Sequence, residues 1–196
     1  LKYIAISDTH GCHRQLNLPQ GDVLLHAGDV CNQGNREEVA DFLKWMSELD
    51  FEHKILIRGN HDFNLEKKTS LLDIEMPQGV LQLDHSGIEI NGNLIWGVPF
   101  PKDWKNRTWE SIPHNTQILI THQPPYSILD LTPTFTSRGE KGLLEKVKQV
   151  QPKVHLFGHI HASYGKKEID DTLFLNAAAY QASENRIVNA PFVFEL

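Results

Sequence analysis

Carboxylate, carboxamide and imidazole side chains stand directly behind apolar runs at five places in this chain. Asp8 and His10 follow Tyr3-Ile4-Ala5-Ile6, and Gly28-Asp29 follows Val23-Leu24-Leu25. Gly59-Asn60-His61-Asp62 follows Ile55-Leu56-Ile57, His122 follows Ile118-Leu119-Ile120, and Gly158-His159-Ile160-His161 follows Leu156-Phe157. Each of these groups is a hard or borderline metal donor. Taken singly, Asp8 or His122 reads as an ordinary buried or turn-forming polar residue. Five such placements in series read as a two-metal site assembled from strand-end loops.

The elements that must position these groups are legible in outline. The runs at 2–7, 22–27 and 53–58 are short and β-rich, bounded by Gly, Asn and Asp. Between the second and third lies a helix. Asn35 can cap it, Glu38 sits at the capping-box position, and Val39, Phe42, Leu43, Met46 and Leu49 share one face. Strand, helix and strand in this order predict a parallel βαβ unit whose loops gather at the strand C-termini. Strands are expected at 79–83, 87–91 and 93–98, joined by hairpin signals at Asp84-His85-Ser86 and Asn91-Gly92-Asn93. Further strands are expected at 117–121, 153–158, 164–169, 172–176 and 191–195, with a helix at about 139–150 that ends before Pro152. An α/β opening followed by a β-rich second half implies two stacked sheets covered outside by helices.

Composition narrows the class. A chain of 196 residues with 40% hydrophobic residues can bury one substantial core, and a single domain over 1–196 is the simplest organisation. The formal net charge of −6 argues against a general nucleic-acid binder, although bound cations could still attract a phosphorylated substrate. A protein of this size needs no disulfide staple, so Cys12 and Cys31 are expected to be free thiols. No apolar run approaches the ~20 residues of a membrane span, and the opening residues do not resemble a signal segment. The expectation is a cytoplasmic protein without membrane association, though the Leu1 start leaves room for a trimmed leader.

With order and strand-end context together, Asp8-x-His10, Gly28-Asp29, Gly59-Asn60-His61-Asp62, His122 and Gly158-His159-x-His161 resemble the motif set of the calcineurin-like metallophosphoesterases. Ile120-Thr121-His122-Gln123-Pro124-Pro125, Phe157-Gly158-His159-Ile160-His161 with Tyr164-Gly165, and Asn176-Ala177-Ala178 make the chain most similar to the small metallophosphoesterase-domain-containing group. That group includes brain-enriched animal proteins and bacterial relatives. The resemblance implies an αββα double-sheet sandwich flanked by helices and hydrolysis of a phosphodiester, with nucleotides as plausible substrates. It implies two divalent cations, manganese first, with iron, zinc or cobalt also admitted. It places Asp29 as the ligand shared by both ions, Asp8, His10 and His161 around one, and Asn60, His122 and His159 around the other. His61 would face the scissile phosphate, as a charge stabiliser or a proton donor to the leaving oxygen. The chemical logic is that two cations roughly 3.5–4 Å apart neutralise the ester oxygens, acidify a water and orient the ester.

Protein Ser/Thr phosphatases carry an acid and an arginine where this chain has Asn32 and Gln33. Losing a bidentate guanidinium clamp weakens the phosphoprotein reading. Arg14, Arg36 and His13 are the candidates for touching substrate in its place, against the plainer reading of exposed polar residues. Asn32 and Asp62 are expected just behind the ligands. His26 and His155, inside strands, are expected to be satisfied core groups, and His53, His85 and His114 surface groups. The aromatic stretch at 99–109, with Trp104 and Trp109, would anchor a loop or stack a base, while Asn106-Arg107-Thr108 is read as a chance glycosylation match. Two other classes compete. One is a phosphomonoesterase, including a protein-phosphatase-like enzyme. The other is a non-catalytic scaffold on the same fold, which would be expected to have lost ligands that are present here.

Overall fold

A computed structural model describes residues 1–62, 65, 75–101 and 109–196. Trp104 and the Asn106-Arg107-Thr108 triplet lie outside the described residues.

Strands β1 (Lys2–Ile6), β2 (Val23–His26), β3 (His53–Leu56) and β4 (Val80–Gln82) run parallel, and β13 (Phe192–Glu195) closes the β1 edge antiparallel, in the order β13-β1-β2-β3-β4. The second sheet has the order β5-β6-β7-β8-β10-β9. Its members are β5 (Ser86–Ile90), β6 (Asn93–Val98), β7 (Ile118–Thr121), β8 (Val154–Phe157), β9 (Gly165–Ile169) and β10 (Thr172–Asn176). The inner strands β6, β7, β8 and β10 are parallel, with β5 and β9 as antiparallel edges. A two-stranded ribbon, β11 (Tyr180–Gln181) and β12 (Arg186–Ile187), was not anticipated, because two-residue strands leave no periodic signal.

Side-chain alternation along the strands explains the layers. Tyr3, Ala5, Leu25, Ile55 and Ile57 of the first sheet meet Ile95, Ile118, Ile120, Leu156 and Leu175 of the second in one apolar layer. The opposite faces of the same strands, through Ile4, Ile6, Leu24 and Leu56, pack on α1 (Arg36–Glu48) by way of Val39, Phe42, Leu43 and Met46. Leu119, Phe157 and Phe174 do the same against Leu143, Val147 and Val150 of α2 (Lys141–Val150). The architecture is the expected helix-flanked double sheet. At the α1 start, Asn35 accepts the Glu38 N–H at 2.9 Å, while the Glu38 carboxylate takes the Gln33 N–H at 2.9 Å, so the helix tethers the loop that follows Asp29.

One connection departs from the sequence reading. Asn91-Gly92 does close a hairpin between β5 and β6, both residues having positive φ (50° and 78°) as a tight reversal demands. Asp84-His85-Ser86 does not: β4 pairs with β3 and β5 with β6, so this turn carries the chain from one sheet to the other. Turn chemistry sets a local reversal and leaves open which strand the next run will join. Among the described residues, no helix is long and apolar enough to cross a membrane.

Buried histidines behind the site give the fold an acid sensitivity. His155, fully buried beside Phe157 and Phe174, donates from Nε2 to Thr121 Oγ1 at 2.9 Å, and that hydroxyl donates onward to the Gln123 carbonyl at 2.6 Å. Burial pushes its pKa down to about 3. A folded pKa below the unfolded value of about 6.5 means that protonation favours the unfolded chain, so stability is present above 6.5 and lost as pH falls toward 3. Moving from pH 7 to pH 5 should cost about 2 kcal/mol through this residue alone. Urea unfolding at the two pH values should show a loss of stability smaller by that increment in His155→Gln than in the native protein.

Candidate metal centre

All the strand-end loops singled out in the sequence come together at one edge, where the C-termini of parallel strands from both sheets converge. The ligand atoms fall into overlapping groups, each with its atoms within 4.8 Å of one another: Asp8, His10 and His161; Asp29, His122 and His159; and His10, Asp29 and His61. Asp29 lies between the first two. Its Oδ2 is 3.2 Å from His122 Nε2 and 3.8 Å from His10 Nε2, while its Oδ1 accepts the His61 backbone N–H at 2.8 Å. Asp8 Oδ1 is 3.1 Å from His161 Nε2, and the His159 N–H donates to both Asp8 oxygens at 3.1 and 3.0 Å. Asn60 turns its Oδ1 to His122 Nε2 at 2.9 Å.

The backbone is bent to make this convergence possible. Asp8, His10, Asp29 and His159 all have positive φ, between 43° and 66°. For residues with a Cβ this costs roughly 1–2 kcal/mol each and persists only where the surroundings dictate it. The glycines ahead of the ligands serve a second purpose, because an added Cβ would lie 2.1 Å from Asp29 Oδ1 at Gly59 and 1.8 Å from Asp8 Oδ2 at Gly158. Asp62 ties two loops together, its carboxylate accepting the N–H groups of Asp29 and Gly59 at 2.8 Å and of Cys31 at 3.1 Å. Burial, joined by the charge of Asp29, pushes the Asp62 carboxyl up to about 6 against those three donors.

The electrostatics are those of a cation site. Burial opposes ionisation of Asp8, yet the hydrogen bond from His161 and the charge of His122 hold it far below the usual carboxylate range. Asp29 is likewise held low against its burial, chiefly by His122. Burial works against a charged His122, but Asp29 overrides it and raises the imidazole to about 9, and Asp8 similarly raises His161. Burial keeps His10 below its ordinary value and, with His122 adding to it, brings His159 down to about 4. No Lys or Arg pairs with Asp8 or Asp29 among the described residues. Protons on imidazole are therefore the positive charge facing these carboxylates, at positions where a divalent cation would meet lone pairs from both. His122 is already oriented for this, its Nδ1–H donating to the Ala27 carbonyl at 2.8 Å and leaving Nε2 for the site.

Residues 1–163 match the family described as calcineurin-like phosphoesterase. The chain belongs to that family. Metallophosphoesterase domain-containing protein 1 of Homo sapiens is 32% identical over all of this chain and 71% of its own length. A Nostoc protein named as a 3',5'-cyclic-nucleotide phosphodiesterase is 23% identical over 76% of this chain and 59% of its own. The solved structure of a phosphopantetheinyl hydrolase from Mycobacterium tuberculosis shares the fold with a TM-score of 0.60, at 16% identity over 89% of this chain and 88% of that one.

Within this metallophosphoesterase fold, the remaining sequence candidates part company. Asn32 reaches His61 through its backbone, the His61 Nδ1–H donating to the Asn32 carbonyl at 2.6 Å. Arg14 is drawn off by Asp41 at 2.6 Å, and Arg36 lies exposed at the first position of α1. His13, expected at the surface, is instead 1% exposed. The short helical turn His13–Gln15 tucks its ring against Phe42 and Trp45, with Nε2 3.1 Å from Asp41 Oδ2. His26 is the satisfied core group expected, bonded to Thr9 Oγ1 at 3.1 Å and to the Gly28 N–H at 3.1 Å. Cys12 and Cys31 are free. Trp109 packs toward α2, its ring beside Gly142.

Phe100 and Tyr180 escaped the sequence reading, and Asn176 entered it only as part of the resemblance, with no role assigned to it at the site. Phe100 sets its ring 5.8 Å from that of His122 and 5.6 Å from that of His159. Tyr180 lies against His10 and His161. Asn176, buried at the end of β10, donates to the Ile160 and Leu129 carbonyls at 3.0 Å and so fixes the loop that carries His159 and His161. The usable signal was that β10 runs parallel to β8, which puts its C-terminal loop at the same edge as the others.

Proposed function

We propose that this protein is a single-domain, two-metal phosphoesterase that hydrolyses a small, nucleotide-like phosphodiester. The observation that carries this reading is the Asp29 carboxylate, shared between the His10 and His122 sides of the cluster at 3.8 and 3.2 Å. Asp8, His10 and His161 would hold one ion, and Asn60, His122 and His159 the other, with Asp29 common to both. Bound there, two divalent cations would offset the charge of the ester oxygens and make a water nucleophilic at neutral pH. The chain's own part is positional. Asp62 and Asn176 fix the ligand loops, and His61, held through Nδ1 by the Asn32 carbonyl, keeps Nε2 free to meet the leaving oxygen.

Preference for a diester is supported by what faces the site. Gln33 is exposed where a phosphatase would present arginine, and Arg14 is engaged by Asp41, so neither is placed to recognise the extra charge of a monoester. The cyclic-nucleotide phosphodiesterase name of the Nostoc relative points the same way. Manganese is the metal to test first, since mixed oxygen and imidazole donors also accept iron, zinc and cobalt.

The test is reconstitution. Protein stripped with a chelator should lose hydrolysis of a chromogenic diester and regain it with Mn²⁺, faster than it hydrolyses the matching monoester. Cyclic nucleotides, linear nucleotides and a phosphopeptide complete the panel. Fully metallated protein that is inert toward every ester would sink the enzyme reading in favour of a scaffold, and a faster monoester would correct the substrate class.

A further inference from the structure

A metal-binding histidine usually donates its second ring N–H to a carboxylate, carbonyl or water, and that bond fixes the ring. His122 follows this rule through the Ala27 carbonyl. His10 does not. Its Nε2 faces Asp8, Asp29 and His161, but its Nδ1 is buried and has no hydrogen-bond partner. What surrounds the ring instead is a cage of other rings. His61 stands edge-on at 4.9 Å and 81°, His161 lies at 5.0 Å, and Tyr180 lies at 4.9 Å and 43°. His61 and His161 have work of their own in the proposed reaction. Tyr180 does not, and it also meets His161 edge-on at 6.0 Å and 89°.

Tyr180 is itself immobilised. Its backbone N–H donates to the Asp8 carbonyl at 3.0 Å, its hydroxyl donates to Asn185 Oδ1 at 2.7 Å across the β11–β12 ribbon, and the residue is 8% exposed. The preceding residues stitch the two sheets together beside it, Ser7 N–H donating to the Ala177 carbonyl at 3.0 Å and Ala179 N–H to that of Ser7 at 2.9 Å. The ribbon therefore delivers a rigid aromatic face to a candidate ligand whose second ring nitrogen is buried without a polar anchor.

We propose that Tyr180 is a positioning residue whose ring replaces the missing hydrogen bond, holding His10, with His161, in the orientation that a cation at the Asp8 side of the centre requires. This rests on the metal assignment above but not on the identity of the ester. The requirement is for the ring, so Tyr180→Phe should serve as well as the native residue, whereas Tyr180→Leu keeps bulk and burial without a flat face.

The experiment is calorimetric titration of the chelator-stripped full chain with Mn²⁺, paired with the electron paramagnetic resonance signal of the coupled two-manganese state. Native protein and Tyr180→Phe should each take up two ions. Tyr180→Leu should bind one ion normally and the other 10–100-fold more weakly, and lose the coupled signal at limiting metal. Thermal unfolding of the stripped forms should leave Tyr180→Leu close to native. Binding by Tyr180→Leu that matches the native protein at both sites overturns the proposal, as does a Tyr180→Phe defect equal to that of leucine. Native protein that takes up no Mn²⁺ overturns the metal assignment and this inference together. Native protein that binds two ions but cleaves no ester overturns the phosphoesterase reading alone.

Discussion

Gly59→Ala is expected to lower phosphoester turnover on the order of 10²-fold or more while every candidate ligand stays in the sequence. The added methyl would sit 2.1 Å from Asp29 Oδ1 and 2.3 Å from the Asp29 backbone nitrogen, and the latter cannot move without its loop. That nitrogen donates to Asp62, which also receives the Gly59 N–H, so a displacement is felt on both sides of the Asp62 staple. In the proposed assignment Asp29 serves both ions, so metal content should fall together with activity. Overpacking at such a junction typically costs 1–3 kcal/mol of stability, measurable as a lower urea midpoint. Gly158→Ala should behave alike through Asp8 and Ser7, where the methyl would lie 1.8 and 2.2 Å from side-chain oxygens. Gly165→Ala is the matched control, since its methyl meets nothing nearer than 3.5 Å and its backbone lies outside the positive-φ region. Metal content and turnover both at native level in Gly59→Ala would mean that the close approach of the two loops is not what places Asp29.

That expectation also marks where the sequence stops being informative. The strands were legible because parallel strands buried on both faces leave unbroken apolar runs, and the ligands were legible because each follows such a run. Why glycine precedes Asp29, Asn60 and His159 was not legible, because the reason is a contact between loops some thirty to one hundred and fifty residues apart. Nor was the left-handed backbone at Asp8, His10, Asp29 and His159, which nothing in their side chains favours strongly enough to predict. Residue type misled at Asn32, whose side chain drew attention although its backbone carbonyl makes the contact with His61. It misled again at His13, a polar residue buried by a short turn against Phe42 and Trp45. Tyr180 lay beyond the last recognised motif, and only the parallel placement of β10 brings it back to the centre.

His61→Ala should reduce turnover by about 10²–10⁴-fold, the usual worth of a positioned proton-transfer group, and should leave two ions bound. With Nδ1–H given to the Asn32 carbonyl at 2.6 Å, Nε2 is the nitrogen left to face the ester, and the His61 N–H bond to Asp29 Oδ1 at 2.8 Å sets the ring beside the shared carboxylate. The Asn32 carbonyl orients this imidazole without bringing the full charge of a carboxylate to it. Because that contact is made by the backbone, Asn32→Ala should change turnover little, while free imidazole added to His61→Ala should restore part of it. The geometry also admits a rival role, since His61 lies with His10 and Asp29 in a group whose ligand atoms are within 4.8 Å. Metal analysis separates the two. A ligand removed from a site takes its ion with it, whereas a group that moves a proton does not. If His61→Ala loses an equivalent of Mn²⁺ in parallel with activity, His61 belongs among the ligands, and the proton must reach the leaving oxygen from another donor.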